Sequence, residues 1–143
     1  MTTLESRIHA IIARPHLACL ATTTADGKPW VRYVMPWATA DFVLRMSTYL
    51  DSRKIEQITA SPDVHLTCGV DNPMCAEAYL QIQGIGSVSS SKEDRHFFWN
   101  DMLSELFDGP DDPRYGVLIV TPYRIELHTV GQSQAEVWEA TPA

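Results

Sequence analysis

The stretch AEAYLQIQGIGSVS, residues 76–89, reads as a long strand with two glycines inside it. Glycine in a strand interior has no side chain to pack and marks a bulge or a bend at a barrel corner. Gly84 and Gly86 therefore predict a sheet that curls rather than lies flat. Other segments supply strands for it. HLACLATTTADGKPWVRYVMP has the pattern of a hairpin: a strand near 17–23, a turn at Asp26-Gly27, and a second strand over about 30–35. DFVLRMST alternates Phe42, Leu44 and Met46 with Val43, Arg45 and Ser47, the period of a half-buried strand. DVHLTCGV sets Val64, Leu66 and Cys68 on one face. YGVLIV and YRIELHTV read as two closing strands joined by a tight turn at Thr121-Pro122.

Three helices are inserted between these strands. The first opens with Thr2 and Glu5 at capping-box spacing, carries Leu4, Ile8, Ile11 and Ile12 as its stripe, and stops at Pro15. The second spans about 51–60, with Ile55 and Ile58 inward and Pro62 at its end. The third starts in SSSKEDRHFFWNDMLSELF, with Ser90 and Glu93 as capping box and Phe98, Met102 and Leu106 along one face. The tail after residue 130 is weakly patterned apart from Trp138. Six or seven strands on hairpin-like connections, interrupted by three helices, predict an α+β domain with a mostly antiparallel sheet that closes into a barrel. A chain of 143 residues without internal repeat or linker fits a single domain, residues 1–143.

Composition excludes several functions. Eleven basic residues against eighteen acidic ones, a net charge of −7, argue against a nucleic-acid partner. No apolar run approaches the length of a membrane span, and the N-terminus lacks signal-peptide features, so a cytoplasmic location is expected. Cys19, Cys68 and Cys75 form no CxxC pair and read as reduced thiols. His65 and Cys68 have HxxC spacing but face opposite sides of a strand, so no metal site is expected. Ser89, Ser90 and Ser91 have no nearby His-Asp set and serve as helix caps. Phe97, Phe98 and Trp99 read as core or interface aromatics.

The second helix breaks a rule that the other two obey. Its first turn holds Ser52, Arg53 and Lys54 where acidic residues are favoured, because free N–H groups make that end positive. One reading sends both cations into water or pairs them with Asp51 and Glu56. The other makes the helix entrance a receptor for a phosphate, whose charge would cancel the repulsion. Two neighbours favour the second. Arg32 lies mid-strand between Trp30 and Val34, where an arginine calls for a fixed anionic partner. Ser47 and Thr48 end a strand just before the helix and offer polar groups to the edge of a flat heterocycle.

The segment VRYVMPWATADFVLRMSTYLDSRKIEQITASPDVHL resembles the central region of the pyridoxamine 5′-phosphate oxidase-like, FMN-binding split-barrel family. LATTTADGKPWV resembles the hairpin before it, and DDPRYGVLIVTPYRIEL the closing strands of its general-stress-protein branch. The resemblance covers most of residues 15–128 and implies a split β-barrel. It also implies that Arg32 and Lys54 bind the FMN phosphate with help from Arg53 and Ser52. Tyr33 and Val34 would present backbone groups to the flavin, and Ser47 and Thr48 would meet its ring and ribityl chain. A homodimer with each flavin at the subunit interface is implied, with Trp138 in the C-terminal part that reaches the partner's flavin. Two departures stand out. Trp37 occupies the position of a lysine of the oxidase branch, and Tyr79 that of an expected glutamine, for which Gln81 can substitute. The substrate-phosphate residues of the oxidase branch are missing near the third helix. The expected activity is hydride transfer from a nicotinamide donor through FMN to a small acceptor. A deazaflavin reductase and a non-catalytic flavin- or haem-binding stress protein are the alternatives.

Overall fold

A computed structural model describes residues 2–142. The first helix, α1 (Leu4–Ile12), is capped by Thr3, whose hydroxyl accepts from the Ser6 N–H at 3.1 Å, so the cap falls one residue after the expected Thr2. The hairpin of β1 (Ala18–Thr23) and β2 (Pro29–Val34) turns at Gly27, which takes φ +82° as a tight turn requires. A short β3 (Trp37–Ala38), not foreseen from the sequence, pairs with β4 (Leu44–Tyr49). Phe42 lies before the strand, not in it. It holds φ 68° in the turn between β3 and β4, and its buried ring offsets the strain of that unusual conformation.

After α2 (Arg53–Ala60) come β5 (Asp63–Cys68) and β6 (Ala78–Ser89), then α3 (Lys92–Phe98), β7 (Tyr115–Thr129) and β8 (Glu136–Glu139). Every pairing is antiparallel, in the order β2-β1-β5-β6-β7-β4-β3, with β8 added on β7. The sheet curls into a half-barrel, an α+β split barrel with β2 and β3 as its two ends. The expected turn at Thr121-Pro122 does not form. β7 runs straight through, and the register slips there instead: Gln83 faces Arg124 and Gly84 faces Pro122, leaving Tyr123 as the extra residue. A bulge tolerates a proline that has no N–H to give. The Gly84 reading holds for a concrete reason: a Cβ there would lie 2.7 Å from Val120 Cγ1 and 2.9 Å from the Thr121 carbonyl oxygen.

Two apolar clusters hold the sheet. Inside the curl, Leu20, Leu44, Met46, Leu66, Ile82 and Leu118 pack with Ile8, Ile12 and Ile58 of the helices. Outside it, Phe98, Leu103 and Phe107 cover Tyr115 and Val117. Both faces of the first half of β7 are thus buried, which is why YGVLIV shows no alternation. The third helix is shorter than expected. Ser91, not Ser90, caps it by accepting from the Asp94 N–H. It ends at Phe98, and Asn100 caps a separate 3₁₀ turn over Asp101–Glu105. Phe98 and Leu103 go inward, while Met102 and Leu106, expected on the same stripe as Phe98, turn out. Among the described residues no helix is long and apolar enough to cross a membrane.

Candidate functional site

The two ends of the curled sheet leave an opening, and a cavity of about 410 Å³ lies beside it. The end of β2 contributes Tyr33 and Val34, with Met35 just after it, β3 contributes Trp37, β4 contributes Ser47, and the start of α2 contributes Lys54. Phe98, Asn100, Met102 and Leu106 close the other side. The volume falls in the range of small-molecule sites. β2 pairs only with β1, so part of its backbone hydrogen-bonding capacity faces away from the sheet, at the place where Tyr33 and Val34 meet the cavity.

The charges gather at the α2 entrance. Ser52 stands at the N-cap position but makes no side-chain cap bond, unlike Thr3 and Ser91 at the other two helices. Its hydroxyl instead accepts from Lys54 Nζ at 3.0 Å. Arg53 lies over the Trp30 ring, 5.0 Å from its centroid. Arg32 reaches the same place from β2. Its position opposite Leu20 puts it on the inner face of the sheet, where Nη1 donates to Thr22 Oγ1 at 2.7 Å and Nη2 to Gln57 Oε1 at 3.0 Å. Those partners are neutral. Among the described residues, no carboxylate lies within ion-pair distance of Arg32, Arg53 or Lys54, so the pairing with Asp51 or Glu56 does not form.

The protonation equilibria reflect this crowding. Burial, and then the Arg53 charge, lowers Arg32 from its ordinary value. Burial, and then the Arg32 charge, lowers Lys54. The Arg53 charge thus acts against that of Arg32 and the Arg32 charge against that of Lys54, and an anion bound among them would relieve both.

Arg32, Tyr33, Val34, Ser47, Ser52, Arg53 and Lys54 therefore come together in or beside one cavity. Three other expected residues do not join them. Thr48 is buried on the inner face of β4, opposite to Ser47, and its hydroxyl donates to the Tyr49 carbonyl at 3.1 Å. Leu80 and Ile82 take the inner face of β6, so Gln81 points outward into a separate polar cleft with His65, Gln83, Arg124 and Glu126. Trp138 packs edge-on against Phe42, with ring centroids 5.1 Å apart, because the tail forms β8 and is drawn onto the core.

The sequence reading also missed contributors. Thr22 and Gln57 hold the guanidinium of Arg32, and Trp30 underlies Arg53. A signal existed for Thr22: it breaks the apolar phase set by Ala18 and Leu20. Gln57 is the polar residue next to the buried Ile58, one turn after Arg53.

Known proteins are similar to this chain in sequence and in fold. General stress protein 26 of Bacillus subtilis (strain 168) is 31% identical over 129 residues, 90% of this chain and 91% of that protein. The crystal structure of general stress protein 26 from Bacillus anthracis str. Sterne superposes with a TM-score of 0.82 at 27% identity, covering 97% of this chain and 100% of that one. More distant structures share the fold alone. They are an FMN-binding protein related to pyridoxamine 5′-phosphate oxidase from Nostoc punctiforme (16% identity, TM-score 0.64, 89% and 87% covered), an F420 reductase (22%, 0.64, 82% and 94%) and a haem-binding protein from Mycobacterium smegmatis (13%, 0.75, 97% and 59%). The family model described as pyridoxamine 5′-phosphate oxidase matches residues 4–129, a span that takes in the arginine-bearing β2, the cationic start of α2 and the long bulged strands. With both the barrel and its charged opening inside that match, the chain belongs to the pyridoxamine 5′-phosphate oxidase family.

Proposed function

We propose that the protein binds FMN with its phosphate at the entrance of α2 and works as a flavin-dependent oxidoreductase. The observation that carries this reading is the group Arg32, Arg53 and Lys54, three cations that have neutral partners only among the described residues. Family membership supports it, as does the FMN-binding neighbour of the same fold. In this reading Arg32 and Lys54 hold the phosphate, and Ser52 and the N–H groups at the very start of α2 complete the contact. The backbone of Tyr33 and Val34 and the Ser47 side chain orient the ring across the cavity. Bound FMN supplies hydride transfer, from a nicotinamide donor to a small acceptor. Residues 33–35, with Tyr33 72% and Met35 51% exposed, leave an apolar rim that a second copy of the chain would cover, giving a homodimer with the flavin near its interface.

The test is a visible spectrum of the purified protein, together with mass spectrometry of what it releases on denaturation. A flavin spectrum and the mass of FMN are expected. Arg53→Ala combined with Lys54→Ala should abolish flavin retention and leave the circular dichroism of the fold unchanged. Stoichiometric FMN in that double variant would place the phosphate elsewhere. A Soret band, or the mass of a deazaflavin, would move the chain toward the haem-binding or F420 neighbours instead.

A further inference from the structure

The charge distribution in the cavity wall carries a statement about the substrate. Lys54 is the one basic residue among the described residues that line it, and it belongs to the α2 end. The opposite wall comes from the broken third helix. Asn100 starts a new turn there, which sends Phe98 and Leu103 inward and leaves Met102 and Leu106 facing out, 65% and 47% exposed. Glu105 is the one acidic residue among the described residues that line the cavity, and none of the described cations lies within ion-pair distance of it. Trp37 adds an aromatic surface to the same cavity, stacked on Phe98 with centroids 5.9 Å apart.

We propose that this wall selects a flat aromatic cation without a phosphate group as the small acceptor that docks beside the flavin. The proposal rests on the reading of the α2 entrance as the phosphate site, because that assigns Lys54 to FMN. A second phosphate would then meet a carboxylate and methionine side chains, with nothing to replace its hydration. A flat cation meets the reverse. Glu105 attracts its charge, Trp37 provides a π surface, and the flexible Met102 adapts to its outline. The phosphorylated amine in the family's name therefore does not suit this wall.

The test compares two pyridine rings of similar size and opposite charge, the 1-methylnicotinamide cation and the nicotinate anion, by calorimetric titration of the FMN-loaded protein. An exposed charge pair contributes up to about 1 kcal/mol, so the cation should bind about fivefold more tightly. Glu105→Gln should reduce that preference to about parity, and Glu105→Lys should reverse it, with FMN absorbance retained in both. Equal binding of the two rings, an unchanged preference in Glu105→Gln, no binding of either ring, or tight binding of pyridoxamine 5′-phosphate would each overturn the inference. Should the wild-type protein take up no FMN, the phosphate reading fails by itself. The same titration on the protein alone then still requires the cation to win.

Discussion

Replacing Gln57 with glutamate converts the neutral partner of Arg32 into an anion without moving the chain. Gln57 Oε1 lies 3.0 Å from Arg32 Nη2, so the new carboxylate makes a charge-assisted hydrogen bond at the same place. Such bonds contribute about 1.5–3 kcal/mol, against about 0.5–1.5 for a neutral pair. Arg32 is partly exposed, so solvent screening sets the gain near the lower end, about 1 kcal/mol. The free protein should melt about 3–5 °C higher. FMN should suffer the opposite effect, because its phosphate then competes with a carboxylate for the same guanidinium. A loss of about 1.5–3 kcal/mol corresponds to a ten- to hundredfold weaker Kd. Riboflavin, which lacks the phosphate, should change by less than about twofold, since the loss is electrostatic and local. The assay is quenching of flavin fluorescence on titration with each ligand, alongside a thermal melt of the free protein. Unchanged FMN affinity in Gln57→Glu, or equal losses for both ligands, would refute the claim that Arg32 is held uncompensated for a phosphate.

Two further outcomes follow from other parts of the molecule. Burial, then the Arg32 charge, lowers Lys54, so in the alkaline window between its folded and unfolded values the unfolded chain binds more protons. The free protein should therefore gain stability as pH rises through that window. FMN affinity should fall there as the ammonium is lost, and Lys54→Met should remove both slopes in melts and titrations compared with wild type. At the bulge, Gly84→Ala forces a Cβ against Val120 and the Thr121 carbonyl and should cost about 1–3 kcal/mol, read as a lower denaturation midpoint with an unchanged m-value.

Local chemistry was enough to reveal some features and not others. The hairpin at Gly27, the inward face of Val64, Leu66 and Cys68, and the bulge near Gly84 are written in two-residue alternation and in glycine placement. The misplaced cations of α2 were visible because the helix rules they break act over one turn. What local chemistry left open has a different cause. YGVLIV and YRIELHTV are one strand because β6 pairs along nearly its whole length, which no local turn signal reports. Trp138 belongs to the core because β8 forms on β7, and Gln81 faces away because Leu80 and Ile82 claim the interior.

The sequence by itself determined that a curled antiparallel sheet forms and that one helix starts with cations where acidic residues are favoured. Periodicity, glycine and caps are properties of neighbours in the chain. Only the tertiary structure decided which groups surround that charge. Arg32, Thr22 and Gln57 meet there from three elements, and the wall carrying Glu105 exists because the chain breaks at Asn100 into a separate turn packed on the sheet. Such contacts depend on long-range packing, where burial of Leu103 and Phe107 outweighs the helical period that would have kept Met102 in line with Phe98.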